Sequence, residues 1–391
     1  MSEIPQAVIV EAVRTARGKK KGSLAGTHPM DLASHVLSAA IRRTGIDPLL
    51  VEDVVMGCVT QVGEQGFNIA RGAVLASGLP IEIAGNTVNR FCASGLQAVN
   101  YAAMEIMSGQ ADVAIGGGVE SMSRVPMGSD ADGPGDGPMA PSLVARFPNL
   151  VPQGISAEMI AEQWKLSRGQ LDEFSLGSQR KAAQAIRQGY FKREIEPIRV
   201  LGPDGAPKMF DTDEHPRPGT TMEALSALKP SFKENGVIHA GNSSGIVDGA
   251  AAILLASSGK ARELGLKPRA KIVATATSGS DPVLMLTGPI PSTRKALERA
   301  KLRVEDIDLW EINEAFAPVP IVVGKELSIP LDRINVNGGA IALGHPLGAT
   351  GAIILATLLN ELERRDLRYG AATLCIGYGM GVTTIIDRRI D

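Results

Sequence analysis

The sequence predicts an α/β protein whose sheets are mostly buried. Short apolar runs rich in β-branched residues alternate with longer segments in which apolar residues recur at helical spacing. With 391 residues, the chain is too long for one simple hydrophobic core, so two or three packed units are expected. Alternation of strands and helices along the whole chain indicates an α/β arrangement.

The apolar runs and helical stripes can be placed in order. The predicted strands are Ala7–Val10, Val54–Val59, Asp112–Ile115, Ala251–Ala256, Ile272–Ala276, Asp308–Ile312, Ala371–Ile376 and Val382–Ile386. Helices are predicted over Asp31–Arg43 and over 94–108, and Gly45 and Gly109 follow them where a helix stop is expected.

The same order of elements occurs twice, which indicates an internal duplication. The first copy has helix 31–43, strand 54–59, helix 94–108 and a strand with glycines at 112–118. The second copy has helix Ser292–Lys301, strand Asp308–Ile312, a turn at Asn335–Asn337 before a glycine-rich helix start, and strand Ala371–Ile376. Between the copies, the loop Gly128–Pro138 precedes helices at about 156–165 and 168–189. We predict that residues 121–245 form an inserted loop domain, that 1–120 with 246–270 form the N-terminal half, and that 271–391 form the C-terminal half.

Composition excludes several classes of protein. The chain is 44% hydrophobic and 21% charged with a formal net charge of −2, which is typical of a globular protein and gives no overall attraction to nucleic acid or to an anionic membrane. No basic-then-apolar leader and no run of about 18 apolar residues is present. Cys58, Cys92 and Cys375 are far apart in the sequence, so we predict no disulfide framework and no metal site, and free thiols fit a reducing cytoplasm.

Cys92 is the first candidate for chemistry. It directly precedes the helix predicted over 94–108, where unpaired backbone N–H groups and the helix dipole favour a thiolate. The neighbouring small residues Ala93, Ser94 and Gly95 would let a substrate approach. Local sequence alone fits equally well a small residue buried at a tight junction between a strand and a helix.

His345 and Cys375 are the next candidates. His345 precedes Pro346 and lies between glycines, which predicts a constrained, exposed loop in which it could act as a base. Cys375 ends an apolar strand and enters a turn of alternating glycines, whose N–H groups could bind an oxyanion. Taken singly, His345 could equally be a loop histidine that is hydrogen-bonded to the backbone, and Cys375 could equally be a buried cysteine of the strand.

Two further observations complete this group. Asn313 and Glu314 follow the strand Asp308–Ile312, so Asn313 could orient a water and Glu314 could hold a histidine or backbone amides; an ordinary helix N-cap is the alternative. Cys58 lies inside a predicted strand with no glycine-rich turn beside it, and we interpret it as a core residue.

Taken together, these segments resemble the thiolase family over essentially the whole chain. The segments, in the order typical of the family, are Val88–Gly95, Gly116–Ser123, Gly241–Gly245 with Asp248–Ala251, Asn313–Phe316, Asn337–Pro346 and Cys375–Gly379. The resemblance implies a thiolase fold, in which two similar βαβαβαββ halves make a five-layered αβαβα core with an inserted loop domain. It also implies a homodimer or homotetramer.

The resemblance further implies roles for individual residues. Cys92 would be the acylated nucleophile, His345 its base, and Cys375 the carrier of the α-carbon proton, while His345 and a water on Asn313 would stabilise the enolate. The backbone amides of Cys92 and Gly377 would form a second oxyanion hole. Coenzyme A would be a substrate, with no separate cofactor, and the residues that contact it or the acyl chain would be Ser244, Arg217, Leu228, Phe232, Ala240, Met285, Ala315 and Phe316.

One segment departs from the family pattern. Many thiolases that use acetoacetyl-CoA carry His-Met-Gly before Thr/Ser-Ala-Glu, and this chain has Pro152, Gln153 and Gly154 there. Pro152 thus replaces a histidine that faces pantetheine. The Arg-Phe-Cys-Ala-Ser-Gly context of Cys92 is closer to degradative thiolases, so we expect cleavage of 3-ketoacyl-CoA in fatty-acid β-oxidation.

Four other activities are weighed against this expectation. One is biosynthetic condensation of two acetyl-CoA. A decarboxylating condensing enzyme would resemble a Cys-His-His or Cys-His-Asn site and is disfavoured by the second cysteine. A non-catalytic acyl-CoA or lipid-binding relative would be expected to lack Cys92, His345 or Cys375, and a redox sensor would not need the motifs of Asn313 and His345.

Overall fold

The protein is described by a computed structural model that covers residues 5–132, 135, 137–202 and 205–390. Three residues of the predicted loop 128–138, namely Gly133, Pro134 and Asp136, lie outside these ranges. So do the outer ends of the two predicted halves, 1–4 and 391.

Strands and helices alternate through the described ranges. The strands are β1 (Ala7–Arg14), β2 (Gly18–Lys19), β3 (Asp53–Gly57), β4 (Ala84–Val88), β5 (Val113–Ser121), β6 (Ile198–Leu201), β7 (Pro207–Phe210), β8 (Val247–Ser257), β9 (Ala270–Gly279), β10 (Leu309–Ile312), β11 (Tyr369–Ile376) and β12 (Met380–Asp387). The helices are α1 (Pro29–Thr44), α2 (Ile69–Ala76), α3 (Ser94–Ser108), α4 (Pro141–Arg146), α5 (Gln153–Gln163), α6 (Arg168–Gln188), α7 (Met222–Ser226), α8 (Ser258–Glu263), α9 (Pro289–Ala300), α10 (Pro318–Leu327), α11 (Ala340–Leu343) and α12 (Leu347–Arg364).

The strand order repeats the same topology in two halves. The first half has the order β4-β3-β5-β8-β1, and the second has β9-β12-β11-β10. In each half, parallel pairing (β3 with β5, β10 with β11) is followed by antiparallel pairing (β5 with β8, β11 with β12). A parallel bridge from Trp310 to Ile334 takes the place of β4 in the second half. A short pairing of β1 with β9 joins the halves, and the predicted duplication is confirmed.

Helices cover the sheets in layers, as predicted. Buried residues of α1 and α2 pack on the first half-sheet, and those of α9 and α10 pack on the second. Helices α3 and α12 lie between the two half-sheets in a third apolar cluster. Because α12 has sheets or helices on nearly every side, it is buried almost all round from Leu347 to Leu362. The layer order is therefore αβαβα. Within the described ranges, no helix is long and apolar enough to cross a bilayer.

Helices α3 and α12 approach each other through glycines. A Cβ on Gly351 would lie 2.2 Å from the backbone nitrogen of Leu96, and one on Gly95 would lie 2.6 Å from the carbonyl oxygen of Gly348. Real Cβ atoms do not tolerate such distances, so glycine is required for this contact. The contact brings the starts of the two helices close together.

The segment between β5 and β8 covers one side of this core. Its residues include α4–α7 and the β6–β7 hairpin, and β5 and β8 themselves pair along their whole length. Buried Arg14 ties the segment to β1, since it donates to Glu194 at 2.7 Å and to Asp213 at 2.8 and 2.9 Å. The division of the chain at 121 and 245 into separate domains stays a prediction.

Several elements differ from the sequence prediction for physical reasons. Strand β4 (Ala84–Val88) was not predicted, because its residues are half-buried or exposed at the end of the sheet and show no apolar run. Strand β1 extends beyond Val10 to Arg14, whose charge is matched inside the protein. Long, apolar α12 was predicted only as a glycine-rich helix start.

Candidate active site

Cys92 lies at a sharp bend between β4 and α3. Phe91 has a positive φ of 43°, which is strained for an aromatic residue. The bend is held because Asn89 Oδ1 accepts from the Phe91 N–H at 2.8 Å, and Ser94 Oγ donates to the Phe91 carbonyl at 2.6 Å. The Phe91 ring also packs edge-on against Tyr378, with ring centroids 5.6 Å apart. The cysteine is thereby fixed at a defined position.

The structure corrects the expectation that the start of α3 lowers the pKa of Cys92. Only 5% of the residue is exposed, and this burial raises the pKa of the thiol to about 11. Desolvation of the anion outweighs the hydrogen bonds that favour it. Cys92 therefore needs a base or additional donors to react as a thiolate at neutral pH.

His345 is oriented by Thr350, a residue that sequence reasoning missed. The Thr350 hydroxyl donates to the Pro346 carbonyl at 3.0 Å. Its proton is thus committed, so the His345 Nδ1, 2.5 Å away, is the donor of that hydrogen bond. Nδ1 carries the proton, so the Nε2 lone pair is an acceptor. The Asn313 Nδ2 group, 3.3 Å from Nε2, donates to the same lone pair.

His345 is buried, although an exposed loop was predicted. It is 3% exposed, and its own N–H donates to the Gly245 carbonyl at 2.9 Å. Burial, with a smaller effect from the Arg17 charge, lowers the pKa of His345 to about 3. The imidazole is therefore neutral at pH 7, as a base must be.

Cys375 closes the group from β11. It is 1% exposed, and burial followed by the nearby charge of Cys92 raises the pKa of the thiol. A protonated thiol can donate a proton to a carbanion. The chain then turns through Gly377, Tyr378 and Gly379, the last two of which have positive φ values of 60° and 73°.

Asn313 and Glu314 have different surroundings. Asn313 is 3% exposed and its Oδ1 is buried without a partner among the described residues, which leaves it free to accept a hydrogen bond. Within the described part of the chain, none of the hydrogen bonds found for Glu314 is to a histidine. Its carboxylate accepts from Ser178 Oγ at 2.7 Å, from Asn335 Nδ2 at 2.9 Å and from the Ile341 N–H at 3.2 Å. It holds the loop that leads to His345.

Glu120, on β5, is a second buried carboxylate that sequence reasoning did not single out. It accepts from the backbone N–H groups of Val59, Thr60 and Gly348 at 2.9, 3.1 and 2.8 Å. It therefore joins the start of α12 to the loop after β3. Cys58, in that loop, is fully buried and burial raises the pKa of its thiol, so the interpretation as a core residue is confirmed.

Most of the predicted site residues line two adjoining cavities. The first, of about 650 Å³, is mostly apolar and its walls include Cys92, Phe232, Ser244, Met285, Ala315, Phe316, His345 and Gly377. Asn313 and Cys375 lie just behind it, against His345 and Cys92. Pro152, also in the wall, stands at the start of α5 and offers no donor.

The second cavity, of about 890 Å³, contains the remaining predicted residues Arg217, Leu228 and Ala240. Ser244, Gly245 and Ile246 belong to the walls of both cavities, so the two adjoin. Lys19 and Lys20 add positive charge to the second cavity. The run of three lysines at 19–21 is visible in the sequence, but nothing there places it beside Arg217.

Comparisons with known proteins agree with this architecture. A model of the thiolase N-terminal domain matches residues 7–259, and a model of the thiolase C-terminal domain matches residues 266–388. The chain belongs to the thiolase family. This thiolase is 45% identical over 390 residues to an acetyl-CoA acetyltransferase from Pseudomonas aeruginosa, covering 97% of this chain and 99% of that one.

Other relatives carry a second name. A 3-ketoacyl-CoA thiolase from Aliivibrio fischeri is 45% identical over 388 residues, covering 97% of this chain and 99% of the relative. The crystal structure of the acetyl-CoA acetyltransferase from Bacillus anthracis superposes with a TM-score of 0.91 at 38% identity, covering all of both chains. The predicted family and fold are thus confirmed, and the chain is an acyltransferase of the thiolase type.

Proposed function

We propose that this thiolase cleaves 3-ketoacyl-CoA with coenzyme A, giving acetyl-CoA and a shortened acyl-CoA. The observation that carries the proposal is that Cys92 and His345 line one cavity and that Cys375 lies near enough for the Cys92 charge to raise its pKa, which gives a neutral histidine and two protonated thiols. A nucleophile, a base and a proton donor are the groups that breaking a carbon–carbon bond next to a carbonyl requires.

In the first half-reaction, His345 Nε2 takes the proton of Cys92 Sγ, and the thiolate attacks the 3-keto carbon. In this proposal, the backbone N–H groups of Cys92 and Gly377 bind the oxyanion. The C2–C3 bond then breaks, and its electron pair becomes an enolate that His345 and a water on Asn313 stabilise. Cys375 protonates C2, and acetyl-CoA leaves.

In the second half-reaction, a coenzyme A thiol enters and attacks the acyl group on Cys92. Its proton is transferred to the Cys375 thiolate that the first half-reaction left, the acyl-CoA product leaves, and the departing Cys92 thiolate takes back its proton from His345. Covalent storage of the acyl group divides one difficult step into two easier ones and implies ping-pong kinetics.

The two adjoining cavities support coenzyme A as the substrate. Lys19, Lys20 and Arg217 are suited to the phosphates of its nucleotide. The passage at Ser244 would carry the pantetheine arm toward Cys92, with the aromatic pair Phe232 and Phe316, 5.8 Å apart between ring centroids, along its side.

An apolar wall beside Cys92 favours the degradative activity over biosynthetic condensation of two acetyl-CoA. Cys92 clusters with Val59, Met122, Leu347 and the Phe91 ring, and burial of an alkyl chain against such a wall is favourable by about 0.8 kcal/mol per methylene. Acetyl alone would leave the wall unused. The names of the relatives do not separate the two directions.

Rates measured with 3-ketoacyl-CoA of graded chain length test the proposal. We expect kcat/KM for thiolysis to rise from the four-carbon substrate to medium-chain substrates, and condensation of acetyl-CoA to be slower than thiolysis. Maximal activity on the four-carbon substrate, with efficient condensation, would favour the biosynthetic alternative.

We further propose that the thiolase works as a homodimer or homotetramer in the cytoplasm, where its free thiols fit. Among the described residues, β4 pairs with a strand on one side only. This edge supports self-association, since Phe67, which is fully exposed, and Ile81, which is 71% exposed, lie close to β4 in the sequence. Asn68, next to Phe67, donates to the β4 carbonyl of Gly85 at 2.7 Å. An open strand edge beside exposed apolar side chains is suited to pairing with a second copy.

A further inference from the structure

Gln153, the first residue of α5, reaches into the cavity beside Cys92. Its side chain is half-buried and belongs to the same cavity wall as Cys92, and its amide acts to lower the pKa of the Cys92 thiol against the larger opposite effect of burial. The amide Nε2 is also 3.6 Å from the point where a side chain on Gly377 would begin. The amide thus lies between the nucleophile and the glycine turn that follows Cys375.

The surroundings of Cys92 leave room for a neutral hydrogen-bond donor to stabilise its thiolate. Among the described residues, the wall of the first cavity contains no Lys or Arg. Besides Cys92, the ionisable groups of the described cavity wall are Asp130, His345 and Tyr378. Cys375 and Glu120 lie outside this wall but interact electrostatically with Cys92, and the Glu120 charge disfavours a thiolate. Apart from the imidazolium that His345 becomes when it takes the proton, the described cavity wall offers a thiolate no cation, so N–H donors add to its stabilisation.

The local backbone holds the start of α5 at the cavity. Pro152 precedes Gln153 with a φ of −59° and a ψ of 150°, and the Pro152 carbonyl accepts from the Ile155 and Ser156 N–H groups at 2.9 and 3.2 Å. Gly154 packs against the Phe232 ring so closely that a Cβ on Gly154 would lie 2.2 Å from a ring atom. The backbone of Gln153 is therefore held at the cavity wall.

We propose that Gln153 is a further catalytic residue, whose side-chain amide donates a hydrogen bond to Cys92 Sγ and stabilises the thiolate once the proton has moved to His345 Nε2. The proposal rests on the proposed function in that it takes Cys92 as the nucleophile. An amide oxygen cannot replace the N–H in this role, and neither can a thioether or a carboxylate. A residue at this position that only shaped the acyl site would not need a hydrogen-bond donor.

Alkylation of Cys92 by iodoacetamide, followed by intact mass between pH 6 and 10, tests the proposal without any substrate. We expect Gln153→Met, similar in length but without a donor, to react about tenfold more slowly at pH 7, with its pH profile displaced upward by about one unit, because a hydrogen bond to a charged group is worth at least that factor. Gln163→Met is the matched control, since Gln163 is exposed at the far end of the same helix, and its profile should equal that of the unmodified protein. Superposable profiles for Gln153→Met and the unmodified protein would overturn the proposal.

Gln153→Glu gives a second, independent answer should the methionine variant fold poorly. At pH 8 its carboxylate cannot donate and repels the thiolate, so alkylation should be slower still than in Gln153→Met. Alkylation as fast as in the unmodified protein would also reject the proposal. If the unmodified protein formed no acyl adduct with thioesters while these alkylation differences persisted, the proposed function would fail and the Gln153 contact would stand.

Discussion

The tautomer of His345 depends on a single hydroxyl group. Thr350 accepts from Nδ1 because its own proton is donated to the Pro346 carbonyl. Thr350→Val keeps the shape and removes the acceptor, which leaves a buried N–H unpaired or moves the proton to Nε2. We expect kcat for thiolysis to fall about 10- to 100-fold, in keeping with the cost of an unsatisfied buried donor.

Steady-state kinetics measure this effect, and Thr350→Ser is the matched control because it keeps the hydroxyl. The serine variant should retain most of the activity. A valine variant with unchanged kcat would contradict the assigned tautomer.

At the level of single residues, part of the site can be predicted from the sequence. Cys92, His345 and Cys375 stand in motifs whose glycines and prolines indicate unusual backbone, and the structure brings all three together. Thr350 and Gln153 carry no comparable signal, because their roles depend on contacts between segments far apart in the chain. Burial of His345 was missed for the same reason.

The close contact between helices α3 and α12 sets the distance between the two halves of the core. Gly351→Ala would put a Cβ 2.2 Å from the Leu96 nitrogen, so the helices must separate, and we expect a loss of about 1–3 kcal/mol in the free energy of unfolding. Gly177→Ala in α6 is the control, since no atom lies within 4 Å of its added Cβ, and it should gain about 0.5–1 kcal/mol.

Urea denaturation of the two variants gives these differences. A Gly351→Ala protein as stable as the unmodified one would show that the helix contact tolerates a side chain. Because Cys92 and His345 stand just before α3 and α12, the same variant should also lose activity.

At the level of elements, apolar runs predicted the buried strands well, because both faces of those strands are covered. Strand β4 escaped prediction since it is exposed at the edge. The β6–β7 hairpin was not predicted either, because only Ile198, Val200 and Phe210 of its strand residues are buried and they form no apolar run. Their pairing is decided by neighbouring strands and not by their own composition.

Seen as a whole, the molecule divides the reaction between duplicated halves. Cys92 precedes α3 in the first half, whereas His345 precedes α12 and Cys375 ends β11 in the second. The segment between β5 and β8 adds Arg217 and Gln153 to the cavities. Each half thus brings chemistry that the other lacks.

Self-association through β4 makes a prediction about the whole assembly. Phe67→Asp should shift the protein toward the monomer, because it puts a charge where an apolar side chain would be buried between copies. Light scattering after size-exclusion chromatography gives the mass. Leu331→Asp is the control, since Leu331 is 51% exposed near Ile334, at the opposite end of the strand order. Equal masses for both variants would reject association at β4.

The acyl group carried by Cys92 is the central claim, and intact mass measurement after incubation with a 3-ketoacyl-CoA tests it most directly. We predict an adduct with the mass of the shortened acyl group, absent in Cys92→Ser and retained in Cys375→Ala, since the second cysteine acts on the α-carbon proton. An unmodified Cys92 with every thioester, or an adduct that persists in Cys92→Ser, would contradict the account.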